Sequence, residues 1–222
     1  EVGILEISIQ GWLNEGNINN GNIFDVFLNE EYNFLNVQNM DVIDIGASIG
    51  DSPIYFALRG AKRVIGLEPF PYPYSFAKTN VENNRLTDKI EILNAGYGDD
   101  GFVVIDTDKK SFDYTQLSAS DKGMKIPIYS LKTLIGHYQI DEAVLKMDCE
   151  GCEYDLLKEN NEILRKFKQI QIEYHYGYVE LRNKLMNAGF DVRYTKPHKF
   201  YEPREKINHN MELGYVYAVR RD

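Results

Sequence analysis

The sequence predicts an α/β fold with a doubly wound, Rossmann-like and mainly parallel β-sheet. From residue 41 onward, short apolar runs alternate with stretches of helical periodicity, and a glycine turn follows the first run. A last apolar run, 213–219, has no helix before it, which indicates an antiparallel strand paired with the strand preceding it. We therefore expect residues 1–40 to form a small N-terminal cap and residues 41–222 to form one domain.

Crossover helices are expected to join the six strands that precede the last one. The six strands are predicted at 42–46, 63–67, 89–94, 143–148, 169–174 and 190–194. Helical spacing marks one helix after each of the first two strands, one that Ser130 caps, one over about 156–164 and one over about 181–188. Asp51 and Ser52 are predicted to cap the first of these helices. The stretch 97–129 interrupts the alternation and predicts a hairpin-like insertion.

The N-terminal region carries weaker signals. Residues 2–9 alternate weakly between apolar and polar, as a strand or an edge hairpin does, and residues 14–22 are rich in Asn and Gly, as a loop is.

Composition limits the classes of partner. The formal net charge of −9 disfavours nucleic acid or an anionic membrane surface as the main partner. The sequence has neither an apolar run long enough for a membrane span nor an N-terminal signal segment, so the expected compartment is the cytoplasm. Two cysteines are too few for a disulfide framework.

The glycine turn after the first strand is the first candidate site. Ser48 stands where a dinucleotide-binding turn would have its second glycine. Asp44 and Asp51 flank the turn, and two carboxylates there would repel a pyrophosphate but suit a cationic methionine group. The pattern therefore favours S-adenosylmethionine over NAD(P), and the candidate cofactor residues are Asp44, Gly46, Ala47, Ser48, Gly50 and Asp51.

The ends of the next two strands supply the rest of a nucleoside site. Glu68 lies about 20 residues after the glycine turn, where a carboxylate accepts hydrogen bonds from both ribose hydroxyls, and Pro69 fixes the backbone as the chain leaves the strand. After the third strand, Asn94, Ala95 and Gly96 are predicted to form the adenine slot. Tyr97 would pack on the base and Asp99 would accept its amino group.

The densest group of charges follows the fourth strand, over 146–153 with the sequence KMDCEGCE. Charged side chains at the end of a buried strand are costly unless they are paired or used in function. Lys146, Asp148 and Glu150 are therefore candidate catalytic residues, and Asp148 is also a candidate cofactor ligand. The Cys-x-x-Cys pair within this segment is compatible with a redox or metal pair, but no second pair with metal-site spacing accompanies it.

The fifth strand ends in Glu173-Tyr174-His175. Histidine is the side chain most easily set up as a base near neutral pH, so His175 is a candidate general base that Glu173 would orient. A basic and aromatic loop, 196–212, leaves the same edge of the sheet and is a candidate lid or acceptor-binding loop.

Three segments also resemble a known family. The runs DIGASIGDSPIYFALRGAKRVIGLEP, LKMDCEGCEYDLL and IEYH are similar to the FkbM-type methyltransferases, S-adenosylmethionine-dependent O-methyltransferases with the class I fold. The Lys-x-Asp-x-Glu-Gly-x-Glu pattern of that family is present here, with the two cysteines on its variable positions, and Glu31-Tyr32 matches a pair that precedes the first strand. One departure is Lys132, where the family usually has Asp.

The hypothesis from the sequence is transfer of a methyl group from S-adenosylmethionine to a hydroxyl of a small molecule or a sugar. His175 or Asp148 would take the hydroxyl proton, and no bound metal is expected. Alternatives that stay open are an NAD(P)-dependent oxidoreductase, a non-catalytic S-adenosylmethionine-binding protein, and a metal-assisted methyltransferase that uses Asp148, Glu150 and Glu173. N-methylation, the identity of the acceptor and the oligomeric state are left open by the sequence.

Overall fold

The computed structural model describes residues 6–11, 13–14, 17–18, 21–105, 123–199 and 211–222. In chain order the elements are β1 (Leu13–Asn14), β2 (Asn17–Ile18), α1 (Gly21–Phe27), β3 (Asp41–Ile45), α2 (Asp51–Leu58), β4 (Arg63–Leu67), α3 (Pro71–Asn83), β5 (Ile90–Leu93), β6 (Gly96–Tyr97), β7 (Gly101–Ile105), β8 (Met124–Tyr129), α4 (Leu131–Tyr138), β9 (Ala143–Met147), a 3₁₀ helix (Cys152–Lys158), α5 (Asn161–Leu164), β10 (Phe167–Tyr174), α6 (Val179–Asn187), β11 (Phe190–Tyr194), β12 (His198–Lys199) and β13 (Glu212–Arg220).

The main sheet has the strand order β11-β13-β10-β9-β3-β4-β5, and the short β12 also pairs with β13. Strands β5, β4, β3, β9 and β10 run parallel. Strand β13 is antiparallel to both of its neighbours, β10 and β11, which confirms the predicted antiparallel last strand and places it between the fifth and sixth strands of the prediction.

Apolar side chains cover both faces of the sheet, because successive residues of a strand point to opposite sides. Ile43 and Ile45 of β3 pack into one buried cluster with residues of β9 and β10. Val42 packs into a second cluster with α2 and α3, and Tyr32 and Leu35 from the segment before β3 join it. A strand buried on both faces reads as a continuous apolar run, and this is why β3 was recognisable in the sequence.

The predicted cap of α2 is wrong in its details. Gly50, with φ 85°, is the residue before the helix, and no side chain caps the helix start. Asp51 and Ser52 lie within the first turn, and the Ser52 hydroxyl instead donates a hydrogen bond to Asp44 at 2.6 Å. The Ser52 hydroxyl, which the sequence predicted as a helix cap, is thus hydrogen-bonded to the buried Asp44 carboxylate of β3.

The chain after β9 also differs from the single helix that was predicted. It forms a 3₁₀ helix and then the short α5, because Glu159 and Asn160 are extended between them. The Asn160 side chain begins the second helix by accepting a hydrogen bond from the Glu162 amide at 2.9 Å. The predicted cap of α4 is confirmed, since the Ser130 hydroxyl accepts a hydrogen bond from the Thr133 amide at 3.1 Å.

The insertion after β5 contains the predicted hairpin. Strands β7 and β8 are antiparallel, and with β6 they form a separate sheet of order β6-β8-β7, while residues 106–122 lie outside the described part of the chain. Residues 6–9 form no strand, and the expected N-terminal loop contains the β1–β2 pair and the start of α1.

Within the described ranges, no helix combines the length and the apolar character needed to cross a membrane.

Candidate active site

A cavity of about 260 Å³ opens where the carboxyl ends of β3, β4, β9 and β10 meet. Parallel strands bring their ends to one edge of the sheet, and ligands of open α/β sheets bind in the crevice at that edge. The segment 25–32 completes the wall on the side of the N-terminal region.

The structure brings most of the predicted site residues to this cavity. Those that line it are Gly46, Ser48, Asp51, Glu68, Pro69, Ala95, Gly96, Lys146, Asp148, Glu150, Glu173 and His175. Asp44, Ala47, Gly50, Asn94 and Asp99 are not among the lining residues. The reasons differ from residue to residue and follow from their local contacts.

Asp44 lies beneath the glycine turn and not in the cavity. Its carboxylate is fully buried, 3.0 Å from the ammonium of Lys146, and it also accepts the Ser52 hydrogen bond. Lys146 donates a further hydrogen bond to the carbonyl of Gly46 at 2.8 Å. Burial opposes the charge of Lys146, but the carboxylates of Asp44 and Asp148 outweigh it and raise the pKa of the lysine. Lys146 therefore holds the turn from below as a cation.

The two glycines of the turn are required by packing and by backbone conformation. Gly46 (φ 84°) lies so close to the carbonyl of Asp148 that any Cβ would collide with it. A Cβ at Gly50 (φ 85°) would lie 3.1 Å from the Cα of Ala77 in α3. Ala47 is fully buried beside them. Ser48 (φ 44°), also in the left-handed region, lines the cavity together with Gly46.

Glu68 connects the turn to the end of β4. Its carboxylate accepts hydrogen bonds from the backbone amides of Ser48 at 3.0 Å and Phe70 at 2.8 Å. Burial raises the pKa of Glu68 to about 8, although these two amides oppose the shift. The two oxygens are thus fixed at the cavity wall, and ribose binding by Glu68 stays a prediction.

Asn94 and Asp99 are placed differently from the prediction of an adenine contact. The Asn94 amide donates to the carbonyls of Glu68 and Pro69, both at 2.9 Å, so it braces the end of β4. Asp99 is 83% exposed and pairs with Lys158 at 3.4 Å. The cavity wall at this point is formed by Ala95, Gly96 and Tyr97 instead.

His175 is held from behind by a fully buried carboxylate. One oxygen of Glu153 lies 3.0 Å from both the backbone nitrogen and the ring Nδ1 of His175. On the cavity side, Nε2 lies 3.2 Å from Glu150 and 3.9 Å from Asp148. Burial would lower the pKa of His175, but the carboxylates of Glu150 and Glu153 outweigh it and raise the pKa to about 11. These carboxylates therefore favour the imidazolium form of the ring. The role of His175 as the general base stays a prediction.

Carboxyl groups dominate the wall around this ring. Burial, with the nearby charge of Asp148, raises the pKa of Glu173 to about 9, and burial also raises the pKa of Glu150. One ligand atom from each of Asp148, Glu173 and His175 lies within 4.8 Å of the other two. The sequence did not predict that these three groups would meet in this way.

Glu31 and Tyr215 are cavity residues that sequence reasoning did not place in the site. The Tyr215 hydroxyl donates to the Glu31 carboxylate at 2.6 Å. Tyr215 lies on β13 directly opposite Glu173 of β10 in the antiparallel register. Tyr215 reaches the cavity only through this strand register, which the sequence does not define. For Glu31, the match of Glu31-Tyr32 to a pair in the resembled family was a usable signal.

The two cysteines form a disulfide, Cys149–Cys152, so neither is a free thiol for a metal in this structure. They enclose Glu150 and Gly151 in a short loop next to His175. The predicted lid, 196–212, lies largely outside the described residues.

Comparison with known proteins agrees with this geometry. A family model described as the methyltransferase FkbM domain matches residues 44–192. Protein 158B of Sulfolobus islandicus rod-shaped virus 1 is 28% identical over 165 residues, which are 74% of this chain and 78% of that protein.

Solved structures show the same fold. Methyltransferase FkbM from Methylobacillus flagellatus KT superposes with a TM-score of 0.52 at 17% identity, over 81% of this chain, which spans only 43% of that longer chain. An O-methyltransferase from Bacillus cereus, crystallised in complex with SAH, gives a TM-score of 0.50 at 13% identity over 94% of this chain and 84% of that one.

Proposed function

The chain belongs to the FkbM methyltransferase family, and we propose that it transfers the methyl group of S-adenosylmethionine to a hydroxyl of a small molecule or a sugar. Membership of a methyltransferase family sets aside the alternative of an NAD(P)-dependent oxidoreductase. The choice of oxygen as the acceptor atom, and of a small molecule or sugar as the acceptor, is our proposal.

The cofactor would occupy the half of the cavity next to the glycine turn. Glu68 would accept hydrogen bonds from the ribose hydroxyls, and the backbone of Gly46 and Ser48 would lie against the methionine portion. Ala95, Gly96 and Tyr97 would form the adenine wall, with the aromatic ring providing a flat apolar surface. Asp51, buried under the same turn with its pKa raised to about 6 by burial, would lie near the cationic end of the cofactor.

The observation that carries the proposal is the oxygen-rich wall opposite Glu68. Carboxyl groups of Glu31, Glu150 and Glu173 and the hydroxyl of Tyr215 line that half. Carboxyl and phenol groups accept hydrogen bonds from hydroxyls, so a polyhydroxylated acceptor would find several partners there. Asp148 lies between the two halves, at the end of β9 and beside Gly46.

In the proposed reaction the acceptor oxygen attacks the sulfonium methyl in line, the carbon–sulfur bond breaks, and S-adenosylhomocysteine leaves as a neutral thioether. The fold contributes mainly proximity and orientation. Because the carboxylates around His175 favour its protonated form, we assign the acceptance of the hydroxyl proton to Asp148, which is 30% exposed at the cavity wall. The imidazolium of His175 would orient the acceptor and the neighbouring carboxylates.

The test is methyl transfer from S-adenosylmethionine with a deuterated methyl group to panels of sugars, polyols and amines, with products read by mass spectrometry. We expect labelled O-methyl ethers from hydroxyl acceptors, and Asp148→Asn should lose turnover while S-adenosylhomocysteine still binds in titration calorimetry. Labelled amines alone would contradict O-methylation. Cofactor binding with no turnover on any acceptor would favour the non-catalytic binding protein.

A further inference from the structure

The ring of His175 is oriented like that of a metal-ligating histidine. Glu153 is fully buried, and a single oxygen of its carboxylate lies 3.0 Å from the ring Nδ1 and 3.0 Å from the backbone nitrogen of the same residue. Nδ1 is therefore the nitrogen that donates to a carboxylate from behind, and Nε2 is the nitrogen that faces the cavity. Histidines that bind metals through Nε2 are commonly fixed in this way, by a carboxylate on the other nitrogen.

The groups in front of the ring have the spacing of a ligand set. One ligand atom each from Asp148, Glu173 and His175 lies within 4.8 Å of the other two. Metal–ligand bonds of roughly 2.0–2.2 Å separate adjacent ligand atoms by about 3 Å and opposite ones by about 4 Å. The three groups could thus close around one ion with small side-chain movements.

Glu150 lies at the edge of this group. Its Oε2 lies 3.2 Å from Nε2 of His175, so the protonated ring pairs with this carboxylate when no ion is bound. The position of that proton, between Nε2 and the carboxylates, is the one that a cation bound to Nε2 would take.

The charge of this part of the cavity favours a cation as well. The acidic groups of Asp148, Glu150, Glu173 and Glu31 line it. Among the residues that line the cavity, the one lysine or arginine is Lys146, which already holds the buried carboxylate of Asp44 at 3.0 Å and the carbonyl of Gly46. A divalent ion bound in place of the His175 proton would add one net positive charge among these acidic groups.

We propose that Asp148, Glu173 and His175 bind one divalent first-row transition-metal ion, with Glu150 at its edge. Two carboxylates alone would suit Mg²⁺, whereas an imidazole nitrogen favours ions such as Mn²⁺, Fe²⁺ or Zn²⁺. Binding releases the proton that Nε2 otherwise carries. One oxygen of Asp148 suffices for the ion, so the other stays available to a hydroxyl.

The use of the ion rests on the proposed function, whereas its binding does not. An ion at this position would hold the acceptor oxygen beside the cofactor half of the cavity and act as a Lewis acid toward it. Affinity for the ion and turnover are therefore measured separately.

The experiment titrates chelator-treated, full-length protein with Mn²⁺, followed by electron paramagnetic resonance of the free ion, and repeats the titration with Mg²⁺ in calorimetry. We expect one Mn²⁺ per chain, bound about tenfold or more tighter than Mg²⁺. Glu173→Gln and Asp148→Asn should each weaken Mn²⁺ binding by roughly tenfold or more. Both residues are partly exposed, so these variants avoid the buried Glu153 and His175. Asp191→Asn, an 81% exposed carboxylate on β11, changes the net charge equally and should bind as the wild type does.

Three outcomes of the titrations would overturn the proposal. Absent or non-stoichiometric Mn²⁺ binding would leave His175 as an imidazolium paired with its carboxylates, without an ion. Equal affinity for Mg²⁺ would contradict the imidazole ligand, and unchanged binding in both cavity variants would place the ion elsewhere. If methyl transfer persists in chelator while no Mn²⁺ binds, the proposed function survives alone. If one Mn²⁺ binds as expected and no acceptor is methylated, the metal site survives and the proposed function fails.

Discussion

A single oxygen of the buried Glu153 carboxylate lies within hydrogen-bonding distance of both the backbone nitrogen and the ring Nδ1 of His175. The other oxygen accepts a hydrogen bond from the Gly151 amide at 2.8 Å. The loop after β9 and the end of β10 are thus joined through one carboxylate, which determines the direction in which the histidine ring points.

Glu153→Gln is expected to lower the pKa of His175 in the metal-free protein. The amide retains an acceptor oxygen but removes the negative charge that, with Glu150, keeps the ring protonated. Nitrogen NMR shifts of the ring, followed from pH 6 to 11, measure the change. Glu142→Gln, at an exposed surface pair, is the matched control. An unchanged His175 titration in the Glu153 variant would show that this carboxylate does not hold the proton.

The free energy of unfolding of the metal-free protein should fall as the pH rises from about 5 to 9. Glu68 has its pKa raised to about 8 by burial, and His175 has its pKa raised to about 11 by its carboxylates, so the folded protein keeps protons that the unfolded chain releases. The proton on Glu68 stabilises the fold fully below pH 4.5, and this stabilisation is lost between pH 4.5 and 8. The stabilisation from the proton on His175 is lost between pH 6.5 and 11. The slope is about 1.4 kcal/mol per pH unit for each retained proton. Urea unfolding at several pH values measures it, and a flat or rising profile would contradict these shifts.

Lys146→Met should destabilise the fold and not merely the reaction. The ammonium is the partner of the fully buried Asp44, and removing one member of a buried pair costs about 3–5 kcal/mol. Urea denaturation compares this variant with Asp44→Asn and with the double variant, which should be less destabilised than the sum of the two. If Lys146→Met instead keeps the stability of the wild type but loses turnover, the result would favour the catalytic role that the sequence predicted for Lys146.

The disulfide predicts a dependence on reductant. Protein purified without reductant should show no reactive thiol after denaturation, and reduction should lower the free energy of unfolding by about 2 kcal/mol, the chain-entropy value for so short a loop. The Cys149→Ser/Cys152→Ser variant should not respond to reductant. Two titratable thiols before reduction would show that the bridge is absent.

The sequence was sufficient for the fold because its signals are local. The apolar runs of β3 and β9 and the glycine turn depend only on neighbouring residues, and each is present in the structure where it was predicted. The two glycines were correctly singled out, but Gly50 serves packing against α3 and does not line the cavity.

What the sequence could not supply depends on distant partners. Asp44 was assigned to the cofactor because nothing in its neighbourhood shows that Lys146, on an adjacent strand, would pair with it. Tyr215 joins the site only through the register of β13 on β10. The carboxylates beside the His175 ring, Glu150 and Glu153, come from the segment after β9, and nothing in the sequence near His175 shows that they would contact it.

The most direct test of the central claim, that Glu68 marks the methyl-donor site, is calorimetric titration with S-adenosylhomocysteine at pH 6.5 and 8.5. Since the raised pKa leaves much of Glu68 protonated at the lower pH, and the ionised carboxylate is the better acceptor for two ribose hydroxyls, binding should tighten at the higher pH with release of a proton. Glu68→Gln should bind roughly tenfold or more weakly at pH 8.5 and lose the pH dependence, while Asp191→Asn should behave as the wild type. Wild-type affinity in Glu68→Gln would contradict the account.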